Sequence, residues 1–275
     1  MTVNNIQELK QAIEDGKVFR RYFAKNAILM DTGGSINTAW LTVGSPKAGA
    51  APATKEAPTR ATTGALHFPT PATNSFLMRQ HQNTGNTQCL MIVDVLSWSA
   101  GLSGTVTGEQ TTNLPTTALS RYTNGENVWL GLICWTATGS TSVNVTARYT
   151  NQAGTGSRNT ASVTFWSGGL GAVSGAPSAG QVQFLPLQSG DYGVRSVEGV
   201  TLSASTLGAG NFGVILCKML SCVQATMLSQ AQETDNIVQT TFMPEIVDDA
   251  CLVVFVGLGT GSTNVVNGHI DILQV

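Results

Sequence analysis

The chain has 275 residues, a formal net charge of −2 and only 11% Asp, Glu, Lys and Arg, against about 25% in typical soluble domains. Its length suits one large β domain with or without an appended arm, and a core of that size is expected to need no disulfide or metal to stabilise it. The sequence pattern predicts neither a secretory leader nor a membrane-spanning apolar run. Two alternatives fit the low charge, an extracellular-type β protein or a subunit covered in an assembly, and we favour the second.

A short helix is predicted over residues 5–15. Asn5 can cap it, Glu8 follows three residues later as in a capping box, and Gly16 suits its C-terminal end. The apolar face of this helix is predicted to consist of Ile6, Leu9 and Ile13. Residues 18–25 could either extend the helix or pair as a strand, and the pattern leaves both open.

An extended arm is predicted to follow, because residues 33–81 lose periodicity and contain five of the nine prolines. Such a segment orders only by lying on another surface. The predicted domains are therefore residues 1–85, a helix and proline-rich arm, and residues 86–275, the body. The arm carries a balance of +4 and the body −6, so the arm of one copy could lie on the body of another.

The body reads as a succession of strands separated by turns. Residues 89–98 and 128–137 are apolar at both odd and even positions, as in strands covered on both faces. Residues 143–149 alternate between apolar and polar, and a Gly-rich turn leads from them to residues 161–165, which predicts a hairpin. Residues 190–218 predict a strand with Val200, Leu202 and Ala204 on its buried face, a turn at 207–211, and an interior strand at 212–217. These patterns predict a mainly β fold, an antiparallel, jelly-roll-like β-sandwich body with an N-terminal helix and extended arm.

Three segments carry a resemblance to a known family. They are residues 99–126 (SAGLSGTVTGEQTTNLPTTALSRYTNGE), 147–158 (ARYTNQAGTGSR) and 185–218, which contains GDYGVRSVEGV. In this order they resemble a family of uncharacterised virion structural proteins of tailed bacteriophages. The resemblance covers just under half of the chain and excludes the N-terminal arm. It implies a structural component of a phage particle and supplies no catalytic residues.

Several motifs resemble catalytic signatures but lack the residues that the chemistry needs. Asp31-Thr32-Gly33 lacks the second carboxylate of an aspartic protease and reads as a turn. The glycine-rich residues 257–262 lack the helix of a dinucleotide site and read as a hairpin turn. Ser97 sits in a degenerate nucleophile elbow. The candidate bases for it are His67, His81 and His269.

Other polar, aromatic and cysteine residues receive structural interpretations. Asp94, inside an apolar strand, is expected to face a donor such as an arginine. Three of the five tryptophans lie in runs that should be core, so packing is the default role for the set, with a sugar-binding platform as the minority alternative: Trp40, Trp98, Trp129, Trp135 and Trp166. The basic cluster Arg20, Arg21 and Lys25 is expected to contact an acidic protein surface. The odd set of five cysteines argues against a disulfide framework or zinc site and predicts small core residues: Cys89, Cys134, Cys217, Cys222 and Cys251.

The sequence therefore predicts a multi-copy structural protein of the virion, assembled in the host cytoplasm. Capsid association, as a cement, decoration or shell protein, is the first hypothesis, and a neck or tail position or a carbohydrate-binding adhesin is the alternative. The expected partners are further copies of the chain and other virion proteins, without membrane or specific nucleic acid. No catalytic, cofactor-binding or metal-binding residue is assigned, and no enzymatic activity or cofactor is expected.

Overall fold

The computed structural model describes residues 6–28, 35–69, 74–85, 87–112, 114, 119–166, 177–225, 230–237, 242–257 and 264–275. In chain order the described elements are one helix, α1 (Ile6–Glu14), and eighteen strands, β1 (Val18–Ile28), β2 (Ile36–Thr38), β3 (Gly44–Ser45), β4 (Lys55–Glu56), β5 (Ser75–Thr84), β6 (Gln88–Ser99), β7 (Gln110–Thr111), β8 (Trp129–Thr136), β9 (Asn144–Asn151), β10 (Arg158–Asn159), β11 (Val163–Thr164), β12 (Gln181–Phe184), β13 (Val194–Leu202), β14 (Asn211–Ala225), β15 (Ala231–Asp235), β16 (Glu245–Ile246), β17 (Leu252–Gly257) and β18 (Asn264–Gln274).

The largest sheet closes into a barrel. Its strands follow the order β14-β8-β12-β2-β17-β6, and β6 pairs again with β14, while β4 adds to β6. Every side chain of β6 and β17 is buried, as expected for strands covered on both faces. The predicted interior strand at residues 212–217 is likewise buried at every position. We call this sheet the barrel sheet.

A second sheet, which we call the terminal sheet, joins the two ends of the described chain. Its order is β15-β5-β18-β1-β3, with β16 also pairing with β5. Residues 18–25, whose conformation the sequence left open, form part of β1 and pair antiparallel with β18, from Val18 opposite Leu273 to Lys25 opposite Val266. Packing of Phe23 beneath the sheet, where it is 1% exposed, stabilises the strand over the helix.

The third sheet is smaller and contains β10-β9-β13-β7, with β11 also pairing with β9. The predicted hairpin is confirmed, because β9 pairs antiparallel with β10 and β11. On β13, Val200 and Leu202 are buried as predicted, whereas Ala204 lies beyond the strand and is exposed. After the turn, β14 enters the barrel sheet rather than pairing with β13, so residues 190–218 bridge two sheets.

The fold is mainly β and antiparallel, as predicted. The jelly-roll sandwich is not established, since the largest sheet closes on itself instead of stacking open against another sheet. The predicted helix is confirmed with Gly16 at φ 71°, and its end is closed by the amide of Lys17 donating to the carbonyl of Ala12. Leu9 is buried and Ile13 is 48% exposed, so the predicted apolar face is buried at Leu9 but not at Ile13.

Residues 35–69, within the predicted arm, fold against the rest of the same chain. Trp40 is 1% exposed and its ring lies 4.5 Å from that of Trp98, edge to face. Phe68 is fully buried in a cluster with strands of both the barrel and terminal sheets. Strand pairing also crosses the predicted boundary at residue 85, because β1 and β5 both pair with β18. The sheets therefore do not follow the division into arm and body.

The cysteines require one correction. Cys134, Cys217 and Cys251 are buried and form no disulfide, as expected for small core residues. Cys89 on β6 and Cys222 on β14 form a disulfide between neighbouring strands of the barrel sheet. The sequence argument against disulfides missed this pair because their separation of 133 residues hides a contact that only strand register creates.

Candidate functional site

Asp94, on β6 of the barrel sheet, forms a buried ion pair with Arg121. The guanidinium donates from Nε to Oδ2 at 3.1 Å and from Nη2 to Oδ1 at 3.0 Å. The amide of Cys251 also donates to Oδ1, at 2.8 Å. Burial raises the pKa of the Asp94 carboxyl, and the charge and hydrogen bonds of Arg121 oppose that shift. The prediction that Asp94 faces an arginine is confirmed.

Arg121 also ties a loop to the barrel. Its Nη2 donates to the carbonyl of Val95 at 2.8 Å and to that of Pro58 at 3.1 Å. The ion pair thus connects β6, the segment before β5 and the loop that leads to β8. Sequence reasoning did not find Arg121, because it stands in an irregular loop that carries no periodicity.

The residue after Arg121 helps to line an exposed cavity that we call the apolar groove. Its volume is about 440 Å³, and its lining includes Tyr122, Lys218, Met219, Cys222, Phe242 and Glu245. The ammonium of Lys218 lies 4.1 Å from the centre of the Tyr122 ring, a cation–π contact. Met219 is 37% and Phe242 69% exposed. The groove therefore presents a thioether and an aromatic ring to solvent, with one cation and one carboxylate nearby.

Two polar rows cross the outer face of the terminal sheet. Strand register aligns Asp235, Arg79, Asp271 and Arg20 in one row. The Arg20 guanidinium donates to Asp271 at 2.7 and 2.9 Å, and Arg79 donates to Asp235 at 3.2 Å. Alternating opposite charges opposite one another in a sheet are mutually stabilising.

The neighbouring row aligns Glu233, His81, His269 and Tyr22. The two imidazole rings stack with centroids 4.7 Å apart, and the Tyr22 ring tilts against His269 at 5.6 Å. The pKa of His269 lies below its usual value, chiefly because of burial and also because of the Arg20 charge. The stacked arrangement of this row is therefore more stable when the imidazole of His269 is neutral than when it is protonated.

The predicted contacts of the N-terminal cations are found within the same chain. Arg20 pairs with Asp271, Arg60 with Asp249 at 3.1 Å, and Arg79 with Asp235. The attraction between the basic N-terminal segment and the acidic remainder is thus met intramolecularly for these three residues. These three guanidinium groups are therefore already paired within the chain and do not offer unpaired charges to a second copy.

Lys25, also in the basic cluster, is buried with 2% exposure. Its ammonium donates to the carbonyls of Thr42 and Pro46, at 3.1 and 2.7 Å. Burial lowers the pKa of Lys25 to about 8. It therefore bridges the residues on either side of β3 and does not present a surface charge.

The candidate catalytic residues are not brought together in the described parts of the chain. Ser97 is buried in the barrel sheet and donates to the carbonyl of Glu56 at 3.4 Å, whereas His81 and His269 lie in the terminal sheet. His67 lies near the carbonyl of Arg60. Asp31 and the glycine-rich residues 258–262 fall outside the described ranges.

The described residues contain no cluster of three or more His, Cys, Asp or Glu side chains placed to hold a metal ion. Within the same residues, no helix has the length and apolar character needed to span a bilayer.

The tryptophans pack, as expected, rather than forming a surface platform. Trp40, Trp98, Trp135 and Trp166 are buried. Trp129 is partly exposed and lies edge to face with Phe184 at 5.0 Å. With Tyr192 and Asp191 these two rings line a second cavity of about 410 Å³, which we call the aromatic groove.

No protein-family model matches this chain, and no curated protein matches it. Solved structures of infectious bursal disease virus were found at low similarity. The crystal structure of the VP2 subviral particle is 10% identical over 94% of this chain and 80% of that chain, with a TM-score of 0.19. The structure of the derived T=1 particles is 9% identical over 94% and 78%, with a TM-score of 0.21. TM-scores this far below 0.5 do not indicate a shared fold.

Proposed function

We propose that the protein is a structural subunit of a tailed-phage virion, present in many copies and acting through contacts between subunits. A capsid-associated position, as cement, decoration or shell protein, is the first assignment, and the neck or tail is the alternative. The role places the chain in a particle assembled in the host cytoplasm, beside further copies and other virion proteins. It requires no cofactor or metal.

The apolar groove is the observation that carries this proposal. Only 11% of the residues are charged, and on this weakly charged chain Phe242 and Met219 are exposed around one cavity. Exposed apolar surface that is clustered marks an interaction site, because its burial against a partner removes it from water. Aromatic and methionine side chains are also enriched at the centres of protein interfaces. The resemblance of residues 99–220 to phage virion proteins adds independent support.

Quantitative mass spectrometry of purified particles tests the proposal. Hundreds of copies per particle would assign the chain to the capsid lattice, and a dozen or fewer would assign it to the neck or tail. Absence from the particle would refute the virion role.

A matched pair of variants tests the groove itself. Phe242→Ser removes an exposed ring inside the groove, whereas Leu207→Asn changes a side chain that is 82% exposed in the turn before β14. Both chains should fold, because neither side chain is buried. Copy number should fall with Phe242→Ser and stay unchanged with Leu207→Asn. Equal incorporation of the two variants would exclude the groove as a contact.

The aromatic groove supports a second candidate, glycan binding. Trp129 and Tyr192 line this cavity, and aromatic residues of this kind combine an apolar ring with a polar group. The Asp191 carboxylate nearby is already held by Tyr149, Asn151 and Arg158, so it would orient a sugar weakly at most. Tryptophan fluorescence titrated with a glycan panel tests this candidate, and Trp129→Ala should abolish any response. A flat response across the panel would remove it.

A further inference from the structure

The strand β1 has an open edge over its first half. It pairs with β18 along one side, but on the other side β3 covers only Ala24 and Lys25. Among the described residues, no strand pairs with that side of residues 18–23. An open edge of this kind is a template for a further strand.

Backbone hydrogen bonds define which residues face the open side. The amide of Gln274 donates to the carbonyl of Lys17. In this register the backbone groups of the odd-numbered residues of β1 therefore hydrogen-bond with β18. On the opposite side, the amide of Asn26 donates to the carbonyl of Val43. Val18, Arg20 and Tyr22 therefore direct their amide and carbonyl groups outward. The carbonyl of Arg20 accepts instead from the guanidinium of Arg21, at 3.0 Å.

The two edges of the terminal sheet differ in charge. Residues 18–23 contain Arg20 and Arg21 and no acidic residue. At the far edge, β15 contains Glu233 and Asp235 and no basic residue. The amide of Asn236 donates to the carbonyl of Met78, so even-numbered residues of β15 face β5 and Glu233 directs its backbone away from the sheet.

Strand direction is also compatible with continuation of the sheet. Each neighbouring pair from β1 through β18 and β5 to β15 is antiparallel, so β1 and β15 run in opposite directions. When two copies are placed with their terminal sheets in line, β1 of one meets β15 of the other antiparallel. Backbone pairing and charge then favour the same arrangement.

We propose that the open edge of β1 pairs with β15 of a second copy of this chain. The inference rests on the proposed role as a multi-copy subunit and assigns one of its contacts. Because two different edges meet, the contact is heterologous and propagates from copy to copy, giving a ring if the rotation closes. The basic edge attracts the acidic edge, and the backbone groups of Val18 and Tyr22, together with the amide of Arg20, supply the ladder.

A charge exchange between two variants tests the contact. Arg21→Glu removes the net positive charge of the β1 edge, and Glu233→Lys removes the net negative charge of the β15 edge. The second variant also loses the contact of Glu233 with Arg79 at 3.6 Å, while Arg79 keeps its bond to Asp235. Sedimentation velocity of the full chain over a concentration series should show each variant associating about threefold to tenfold more weakly than wild type. An equimolar mixture should recover association, because the unaltered basic edge of the Glu233→Lys chain then meets the unaltered acidic edge of the Arg21→Glu chain. Failure of the mixture to recover would overturn the proposal.

A backbone substitution provides a second, independent test. Tyr22→Pro removes an amide that faces the open edge, whereas Arg21→Pro removes one that faces β18. Thermal unfolding should show Tyr22→Pro folded and Arg21→Pro strongly destabilised, and association of Tyr22→Pro should fall about tenfold. Unchanged association of folded Tyr22→Pro would refute the contact, as would a wild-type chain that stays monomeric at millimolar concentration. Either result would leave the proposed virion role standing, because that role is tested separately by the copy number in purified particles.

Discussion

Replacing Asp94 with asparagine tests the most deeply buried charge pair described in the fold. The change keeps the size of the side chain but leaves the Arg121 guanidinium, 5% exposed, without its counter-charge. Breaking a buried pair by removing one partner costs about 3–5 kcal/mol. The change in unfolding temperature is about 2–4 °C per kcal/mol for a chain of this size, so the midpoint should fall by roughly 6–20 °C.

The exposed pair Glu109–Arg148 is the matched control. It has the same two-point geometry, with bonds of 2.9 and 2.7 Å, but lies on the surface. Glu109→Gln should therefore change stability by less than about 1 kcal/mol. Calorimetry or urea unfolding of both variants measures the difference. Equal effects of the two substitutions would refute the assignment of Asp94 and Arg121 as a buried structural pair.

A double substitution separates the pair from its parts. Asp94→Leu with Arg121→Met removes both charges, so neither is left buried and alone. The double variant should lose less stability than the sum of its two single variants, because buried ion pairs are coupled. Additive losses would show that the two side chains act independently.

Three further outcomes follow from the structure. Because the pKa of Lys25 in the folded chain is about 8, below its ordinary value of 10.5, the unfolded chain binds more protons between these values. Urea unfolding should therefore show wild type gaining up to about 3 kcal/mol over Lys25→Met as the pH rises from about 8 to about 10.5; equal pH profiles would contradict this. Gly213→Ala should lower the free energy of unfolding by more than about 2 kcal/mol, because the new Cβ would meet a backbone carbonyl of β6. Gly108→Ala, where the new Cβ meets open space, should change it by no more than about 0.5 kcal/mol. Similar effects of the two substitutions would disprove the close approach at Gly213. Thiol titration in denaturant without reductant should find three reactive thiols, and five would exclude the bond between Cys89 and Cys222.

The long strands β6, β8 and β14 of the barrel were predictable from residue pattern, whereas β2 and β4 lie in residues predicted as an extended arm. Continuous apolar runs identified β6, β8 and β14 because strands buried on both faces need no polar side. Alternation identified β9 for the complementary reason. What the pattern could not supply was sheet membership, and the assignment of β13 and β14 to different sheets depends on distant pairing.

The candidate sites were harder to predict. Asp94 could be singled out because a carboxylate inside an apolar run demands a donor, but no local signal connects it to Arg121. The apolar groove and the open edge of β1 arise from the packing of segments far apart in sequence. The proline-rich residues suggested an extended segment, yet Trp40 and Phe68 within it are buried, since apolar side chains gain stability by packing wherever the chain can bring them.

The pairing of β1 with β18 has a consequence for the order of folding. Val18 lies opposite Leu273, so this part of the terminal sheet cannot form until nearly the whole described chain has left the ribosome. Synthesis proceeds at about 5–20 residues per second, and during that interval the barrel strands of the middle of the chain can already pair. The edge that we assign to contact with another copy is therefore anchored to the sheet only after β18 has been synthesised, which delays this contact between nascent chains until then.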